Sequence, residues 1–375
     1  MNFEMNETYR APSRFCGGRW LTSACVFDNI IDSLDFEFKE NKELKRIAYV
    51  YKIWQYAWEA RHGFLGIVYP ISSKNSIKPS KNATCALITI AHNERKMFPI
   101  WLRYYQRHFD PTDIYVLDHL TTDGSLDGLP KGINKYKMEG SKYAMPVRFR
   151  SKVIQAWEDR LLRAGYKCAV FSDTDEIIVA NPRNYKQGLK DFLYEFANGP
   201  ELYYRVTAME LAHMAYGNGS TSTQEPPLDW SKSVLAQRHF MVMDRATSQY
   251  NKPLLTKVPI AYTPGFHKFY DFHRNRYCKD HKDLVMFHMR SMDYDYCLER
   301  EQAKFNMTKL MEPLELNTGY ASHWNLYEKD KKSGELCKYA NSCFRGQLNE
   351  KTVFWDNTGT FPVQRLDPVW NEVDL

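Results

Sequence analysis

Long hydrophobic segments are missing from the sequence. No apolar run in its 375 residues approaches the ~18 residues that a membrane-spanning helix needs. Residues 1–30 do not show the charged and then apolar layout of a secretory signal. These absences predict a soluble, cytoplasmic protein. A membrane-associated protein and a trimmed secretory-pathway enzyme are the alternatives that the sequence leaves open.

Cysteine is scarce and does not follow a metal-binding pattern. The chain has eight cysteines, and none of them forms a Cys-x-x-Cys pair, which argues against a structural zinc site. Cys85 and Cys168 lie within apolar segments, so we predict that both are buried thiols. The spacing of Cys337 and Cys343 would permit a disulfide in an oxidising compartment.

Internal repeats, low-complexity segments and a strong charge imbalance are also absent. A hydrophobic content of 43%, with 15% aromatic residues, is enough for a packed core and excludes a disordered chain. The net charge of +6 is modest and is spread along the chain. It suits a small polyanionic substrate as well as nucleic acid, so charge alone does not decide the partner.

The chain begins with an arm that precedes the regular fold. A stripe of apolar residues predicts an amphipathic helix over residues 40–61. Residues 72–83 are polar and rich in helix breakers, which is typical of a linker or an exposed loop. We therefore predict an N-terminal arm with one amphipathic helix over residues 1–83.

From residue 84 onward, predicted strands and helices alternate. Strands are predicted over 85–91, 113–117 and the short apolar run 168–171, with strand-like segments near 201–209, 234–242, 255–262 and 284–287. Helices are predicted from near Pro99, over 151–163 and 189–196, and after a cap at Ser291, with Asp293 and Asp295 in the first turn. This alternation predicts an α/β fold, a Rossmann-like three-layer sandwich with a mostly parallel central sheet. The main domain is expected over 84–310, and residues 311–375 are expected to be a C-terminal extension packed on it.

The most informative stretch is the acidic end of one predicted strand. Asp173, Asp175 and Glu176 follow the apolar residues 168–171. Ligands of open α/β sheets bind at the carboxyl ends of the strands. Alternate residues of an extended segment point the same way, so Asp173 and Asp175 are expected to converge. Two such carboxylates repel each other unless a cation lies between them, and Mn²⁺ or Mg²⁺ fits oxygen ligands. The alternative is that both aspartates cap a turn.

Other polar motifs follow other predicted strands in a fixed order. Asn93 and Glu94 follow the first strand, and the run 118–125 (Asp-His-Leu-Thr-Thr-Asp-Gly-Ser) follows the second. The run 288–291 follows a later one. This ordered set resembles the GT-A glycosyltransferases, in particular the family-2-like group related to glycosyltransferase family 92. In that group the first strand ends in Asn-Glu, the second in an Asp-rich D-x-x-S-T-D-G-S turn, and the metal motif reads D-x-D-E. The resemblance covers residues 85 to 305.

The resemblance implies a role for each matching residue. Glu94 and Asp118 would line the nucleotide pocket, and Asp173 and Asp175 would hold Mn²⁺ or Mg²⁺ against the diphosphate. His288, or alternatively His267, would complete the metal or phosphate site.

The sequence departs from the family pattern at two positions. His119 stands where the family commonly has a second Asp, and Leu120 stands where it has Gly, which leaves the nucleotide base open.

Each role has a structural alternative. Glu94 would otherwise start a helix, and Asp118 would form an Asx turn. His288 and His267 would otherwise be core histidines. On the predicted helix over 151–163, Lys152 is a candidate phosphate clamp, although such a lysine is usually solvated. Lys252 is predicted to be exposed.

The resemblance implies a metal-dependent glycosyltransferase, a hexosyl or pentosyl transferase. It would move a sugar from a nucleotide-sugar donor, UDP-linked by expectation, to a glycan or protein acceptor, with no nucleic-acid partner. A sugar-1-phosphate nucleotidyltransferase is the main alternative, but it normally has a Gly-rich loop after its first strand, and residues 92–96 contain no glycine. A non-catalytic carbohydrate-binding protein is a further alternative.

An inverting transfer also needs a base within about 3 Å of the acceptor hydroxyl. The candidates are Asp229, Glu225 and Glu210. Asp229 and Glu225 rank above Glu210 because Pro226 and Pro227 predict a shaped loop rather than a core strand. A retaining mechanism would need no such base.

Overall fold

The computed structural model describes seven stretches of the chain. They are residues 77–138, 147–213, 225–242, 251–260, 262–268, 279–308 and 363–375. The helix predicted over 40–61 and most of the predicted arm and C-terminal extension lie outside these stretches. Within them, no helix combines the length and the apolar character that crossing a membrane requires.

The described stretches form a mixed α/β fold around one open sheet. The strands are β1 Cys85–Ala91, β2 Ile114–Asp118, β3 Asn134–Lys137, β4 Cys168–Phe171, β5 Glu176–Ala180, β6 Tyr203–Ala212, β7 Phe240–Val242, β8 Lys252–Thr256, β9 Lys279–His288 and β10 Val363–Arg365. The helices of two turns or more are α1 Met97–Tyr105, α2 Val147–Arg163, α3 Leu189–Asn198 and α4 Tyr294–Thr308. The predicted α/β class is confirmed.

One half of the sheet is parallel. Its order is β4-β1-β2-β3, and each neighbouring pair runs in the same direction. All residues of β1, β2 and β4 are buried, as their continuous apolar sequences predict for strands covered on both faces. The carboxyl ends of these strands therefore meet at one edge of the sheet.

The other half is largely antiparallel. Strand β8 pairs antiparallel with β4, and β6, β7 and β10 continue the sheet with antiparallel pairings. Strand β9 runs parallel to β6 and antiparallel to β5. The ends of β6 and β9 thus reach the start of β5, directly after the acidic motif.

Several predicted element boundaries differ from the structure. The apolar residues that follow the acidic motif form a strand of their own, β5, because the chain turns at Asp173 and leaves β1 to pair with β9. Only Phe240–Val242 of the segment near 234–242 is a strand, and β3 was not predicted. Asp293 rather than Ser291 caps α4, since the Asp293 Oδ1 accepts a hydrogen bond from the Tyr296 amide at 2.9 Å.

The prediction of two buried thiols is right about the burial but wrong about the thiols. Cys85 and Cys168 are both buried, but they lie opposite each other on β1 and β4, with Cα atoms 4.5 Å apart, and form a disulfide. The sequence could not show this because the pairing of the two strands brings together residues 83 positions apart.

The described end of the chain packs on the same sheet. Strand β10 pairs with β7, and the carbonyl of Leu375 accepts a hydrogen bond from the Val234 amide at 2.8 Å. The ring of Trp370 meets that of Phe287 edge-on, with centroids 5.5 Å apart. Residues 363–375 are therefore part of the core structure.

Candidate active site

The loops after β1 and β2 are hydrogen-bonded to each other. Asn93 adopts a left-handed backbone conformation with φ of 55°, which asparagine tolerates better than most residues. Its side-chain oxygen accepts hydrogen bonds from the amides of Thr122 and Asp123, at 2.8 and 3.2 Å. Asp123 in turn accepts from the Arg95 amide at 3.0 Å. The Asn-Glu motif thus fixes the second loop and holds Glu94 at the sheet edge.

Asp118 divides its two carboxylate oxygens between two partners. Oδ1 accepts a hydrogen bond from the Thr121 amide at 2.9 Å, which is the Asx turn of the alternative interpretation. Oδ2 lies 3.9 Å from the Nζ atom of Lys135. The neighbouring His119 is buried, which lowers its pKa to about 4, helped by His92, so its imidazole is neutral at pH 7. The nucleotide role of Asp118 stays a prediction.

Side chains of α1 form hydrogen bonds to the residue that precedes the acidic motif. Ser172, which directly precedes Asp173, accepts hydrogen bonds from the indole of Trp101 at 3.2 Å and from the hydroxyl of Tyr105 at 3.0 Å. The Glu176 amide donates to the Asp173 carbonyl at 3.0 Å, which closes the turn between β4 and β5. The positions of both aspartates are therefore set by buried contacts.

The first cluster, called the Asp173 side, contains Asp173, Glu176, Arg150 and Lys252. Arg150, on α2, forms a close ion pair with Asp173. Lys252, on β8, lies 2.5 Å from Glu176 Oε1 and 3.8 Å from Asp173 Oδ2. The ring of Phe266 lies under both cations, 5.8 Å from the Arg150 guanidinium and 5.9 Å from Lys252 Nζ. Two carboxylates are thus matched by two permanent cations.

Burial shifts the pKa values of Glu176 and Lys252 in opposite directions. Burial raises the pKa of Glu176, and Lys252 opposes this. Burial alone would lower the pKa of Lys252, but Glu176 and Asp173 outweigh it, so the net pKa is raised. Lys252 is 5% exposed, so the prediction that it is exposed is wrong. Its charge is retained because the acids surround it.

The second cluster, called the Asp175 side, contains Asp175, Glu94, Glu210, Arg300 and His288. Arg300, on α4, lies 2.5 Å from Asp175 Oδ2 and 3.7 Å from Glu94 Oε1. The Nε2 atom of His288 lies 3.5 Å from Asp175 Oδ2, and its Nδ1 contacts Glu210 closely. Among the described residues, three carboxylates here face one permanent cation and one imidazole.

His288 is oriented as a metal-ligating histidine usually is, with one ring nitrogen held by a carboxylate and the other facing a second ligand. Burial would lower its pKa, but Glu210 and Asp175 raise it to about 10. The Oε1 atom of Glu210 is buried without a hydrogen-bond partner in the part of the chain that is described. No group of three or more His, Cys, Asp or Glu side chains within the described stretches is arranged to hold a metal.

The remaining predicted ligands lie near the Asp173 side. His267 follows Phe266, and its ring packs so closely on Gly265 that a Cβ there would lie 2.5 Å from Nε2. Lys152 is half-buried on α2, two residues beyond Arg150, which is the α2 residue that pairs with Asp173. The ligand roles of His267 and Lys152 stay predictions.

The three base candidates have different surroundings in the structure. Asp229 pairs with Lys232 at 2.9 Å, and hydrogen bonds from Ser231 and Lys232 lower its pKa to about 2, which makes it a weak base. Glu225 is buried and accepts a hydrogen bond from the His239 amide at 2.8 Å. Glu210, which ranked last, is the candidate that joins the motif. Pro226 and Pro227 correctly indicated a loop, but they gave no information on the distance between that loop and the acidic motif.

Three residues of the site were not assigned to it from the sequence. Arg150 and Lys152 lie two positions apart on one helix, so only the docking of α2 decides which one faces Asp173. Lys252 stands in an otherwise apolar strand, which is a detectable sign of a buried, paired lysine. Arg300 lies 125 positions after Asp175, and no local pattern connects them.

The chain aligns at low identity with a number of solved structures, including two of TarS and one of WbbM. A fragment of S. aureus TarS (1–349) in complex with UDP-GlcNAc is 13% identical, with a TM-score of 0.32 over 65% of this chain and 70% of that one. Longer S. aureus TarS is 14% identical, with a TM-score of 0.30 over 60% and 40% of the two chains. WbbM, a bifunctional glycosyltransferase, is 13% identical, with a TM-score of 0.22 over 62% and 35%. The chain thus spans less than half of the last two proteins. No protein-family model matches the sequence, and no curated protein does.

Proposed function

We propose that the protein is a glycosyltransferase that moves a sugar from a UDP-linked donor to a glycan or protein acceptor. The observation that carries the proposal is the position of Arg300, whose guanidinium contacts both Glu94 and Asp175. These two acids belong to separate motifs, 81 positions apart in the sequence. Their meeting at the carboxyl end of the parallel strands is what a shared nucleotide-sugar site requires.

A divalent cation, Mn²⁺ or Mg²⁺, is part of the proposal. Asp175 and His288 would hold it, the His288 ring releasing a proton as the cation binds, and it would stabilise the negative charge that develops on the departing nucleoside diphosphate. The sequence assigned Asp173 to the same ion, but Arg150 and Lys252 already neutralise that carboxylate. The contacts therefore favour Asp175 as the main carboxylate ligand.

The other side chains of the site orient the reacting groups. Arg300 holds Asp175 and Glu94 in fixed positions, and Arg150 does the same for Asp173. This preorganisation favours transfer because the charged groups need not rearrange as the sugar–phosphate bond breaks. Glu210 is the acceptor base that the contacts favour for an inverting transfer, since it lies next to His288 at the motif.

A thermal-shift panel tests the proposal directly. UDP-, GDP- and CMP-linked sugars are added with and without Mn²⁺, and a preferred UDP-sugar should raise the melting temperature by mass action, more strongly with Mn²⁺. Asp175→Asn should lose most of the Mn²⁺-dependent shift. Asp295→Asn, which removes an exposed acid from the first turn of α4, is the matched control and should keep it. The absence of any shift with every nucleotide sugar would contradict the proposal.

A further inference from the structure

Tyr296 has a buried hydroxyl without a partner. The residue lies in the first turn of α4 and is 4% exposed. Its hydroxyl is buried and makes no hydrogen bond to any described residue. By contrast, the equally buried Tyr104 donates to the carbonyl of Ile178 at 2.9 Å. A buried hydroxyl without a partner lowers the stability of a fold, so such a group in a native protein calls for an explanation.

The ring of Tyr296 is held on several sides. The Arg300 guanidinium lies 5.7 Å from its centroid, and the ammonium of Lys96 lies 5.6 Å from it. The Trp230 ring meets it edge-on, with centroids 5.2 Å apart and planes at 73°. Lys96 is in turn ion-paired with Glu299. The hydroxyl therefore has a fixed position and is not free to turn toward another partner in the core.

The Tyr296 ring lies next to the Asp175 side. Arg300, which lies on the Tyr296 ring, is the residue that joins Glu94 and Asp175. Burial raises the pKa of Tyr296 far above its usual value, Arg300 lowers it in part, and Glu94 and Asp175 raise it further. The hydroxyl thus remains a proton donor at every physiological pH.

We propose that the Tyr296 hydroxyl binds the nucleotide-sugar donor, by donating a hydrogen bond to an oxygen of its nucleoside diphosphate. The inference rests on the proposed function and assigns a new binding residue to its site. The side chains of Arg300 and Glu94 are partly exposed, at 17% and 19%, so the Asp175 side that Tyr296 borders is open to a ligand. A neutral hydroxyl can donate to a phosphate oxygen without being drawn into an ion pair with the neighbouring acids.

The test compares two tyrosine-to-phenylalanine variants. In Tyr296→Phe the affinity for UDP, measured by calorimetry with Mn²⁺ present, should fall about 10-fold, since a hydrogen bond to a charged group is lost. The melting temperature of the ligand-free protein should stay the same or rise, since no partner is left unsatisfied. In the control Tyr104→Phe the melting temperature should fall, because the Ile178 carbonyl loses its donor, and the UDP affinity should not change.

The possible outcomes distinguish a failure of this inference from a failure of the proposed function. Unchanged UDP affinity in Tyr296→Phe, with binding by the unaltered protein, would overturn the inference alone. A fall in melting temperature as large as that of Tyr104→Phe would also overturn it, because the hydroxyl would then have a partner within the fold. Failure of the unaltered protein to bind either UDP or GDP would overturn the proposed function together with the inference.

Discussion

The two aspartates of the acidic motif lie two positions apart, yet their surroundings differ. Asp173 is paired with Arg150 and Lys252, which come from α2 and β8. Asp175 contacts Arg300 and His288, which come from α4 and β9. The Asp173 side matches two acids with two permanent cations. The Asp175 side, among the described residues, has three acids, one permanent cation and the imidazolium of His288, whose pKa is raised to about 10.

The comparison assigns different tasks to the two clusters. A balanced, buried cluster fixes structure, since removing either partner leaves an uncompensated charge. A cluster with more acids than permanent cations, and with a histidine oriented toward a carboxylate, is suited to a divalent cation and a phosphorylated ligand. We therefore expect the Asp173 side to govern stability and the Asp175 side to govern activity.

The largest expected effect is a difference in activity between variants of the two aspartates. Asp175→Asn should lower the rate of nucleoside diphosphate release by about 100-fold or more, because the main carboxylate ligand of the proposed cation is lost. Asp173→Asn should lower it less but should destabilise the fold, because Arg150 would lose its partner and Lys252 would lose one of its two. Initial rates and melting temperatures of both variants check this. Equal losses of activity with equal stability would break the comparison.

Lys252→Met tests the structural task of the Asp173 side. The substitution leaves Glu176 and Asp173 without their shared cation and should lower the free energy of unfolding by about 3 kcal/mol, measured by urea denaturation. Adding Glu176→Gln should restore part of the loss, because the two residues are coupled. Lys232→Met, at an exposed surface pair, is the control and should change little. A loss in Lys252→Met as small as that of the control would refute the structural role.

Arg300→Lys sharpens the description of the Asp175 side. A lysine keeps the charge but cannot contact Glu94 and Asp175 together, so the affinity for UDP should fall about 10-fold. The unfolding free energy should change less than in Lys252→Met. Arg163→Lys, which alters an exposed pair with Asp159 on α2, serves as the control for arginine replacement. An undiminished UDP affinity in Arg300→Lys would show that the bridge is dispensable.

A further expected effect is a pH dependence of stability, and it concerns the docking of α2, which carries Arg150. Glu158 on this helix is fully buried and accepts hydrogen bonds from the Ile260 amide at 3.0 Å and the Tyr262 hydroxyl at 2.6 Å. Burial raises the pKa of Glu158 from 4.5 to about 8, and the two hydrogen bonds oppose the rise. Between these pH values the folded state binds more protons than the unfolded state.

The unfolding free energy should therefore fall as the pH rises through that window, by at most about 1.4 kcal/mol per pH unit from this group. Glu158→Gln should remove this contribution. Urea denaturation of both proteins from pH 5 to 8 checks it, and the difference between the two curves isolates Glu158 from other titrating groups. Parallel curves would contradict the assignment.

The sequence predicted those parts of the site that depend on local order. A buried strand followed by acids predicted the position of Asp173 and Asp175, and the strand β1 begins and ends where its apolar run does. His288 was expected at the end of a strand, and the structure places it there, 3.5 Å from Asp175. These features follow from strand direction and sheet edges, which a local pattern encodes.

The partners of the acids could not be predicted in the same way. Arg300 reaches Asp175 only because α4 packs against the sheet edge, and Glu210 reaches His288 only because β6 and β9 run parallel and pair these two residues. Lys252 was expected in solvent since a lysine is costly to bury, and its position makes sense only with Glu176 beside it. The sequence thus predicted the acids, and long-range packing decided their charge partners.

The most direct test of the division between the two sides is a calorimetric titration of Mn²⁺ in the presence of UDP. The unaltered protein and Asp173→Asn should both bind one Mn²⁺ ion, at a temperature where both are folded. Asp175→Asn should bind it at least 10-fold more weakly, because its ligand carboxylate is missing. Equal Mn²⁺ affinity in Asp175→Asn and the unaltered protein, or a selective loss in Asp173→Asn, would contradict the account.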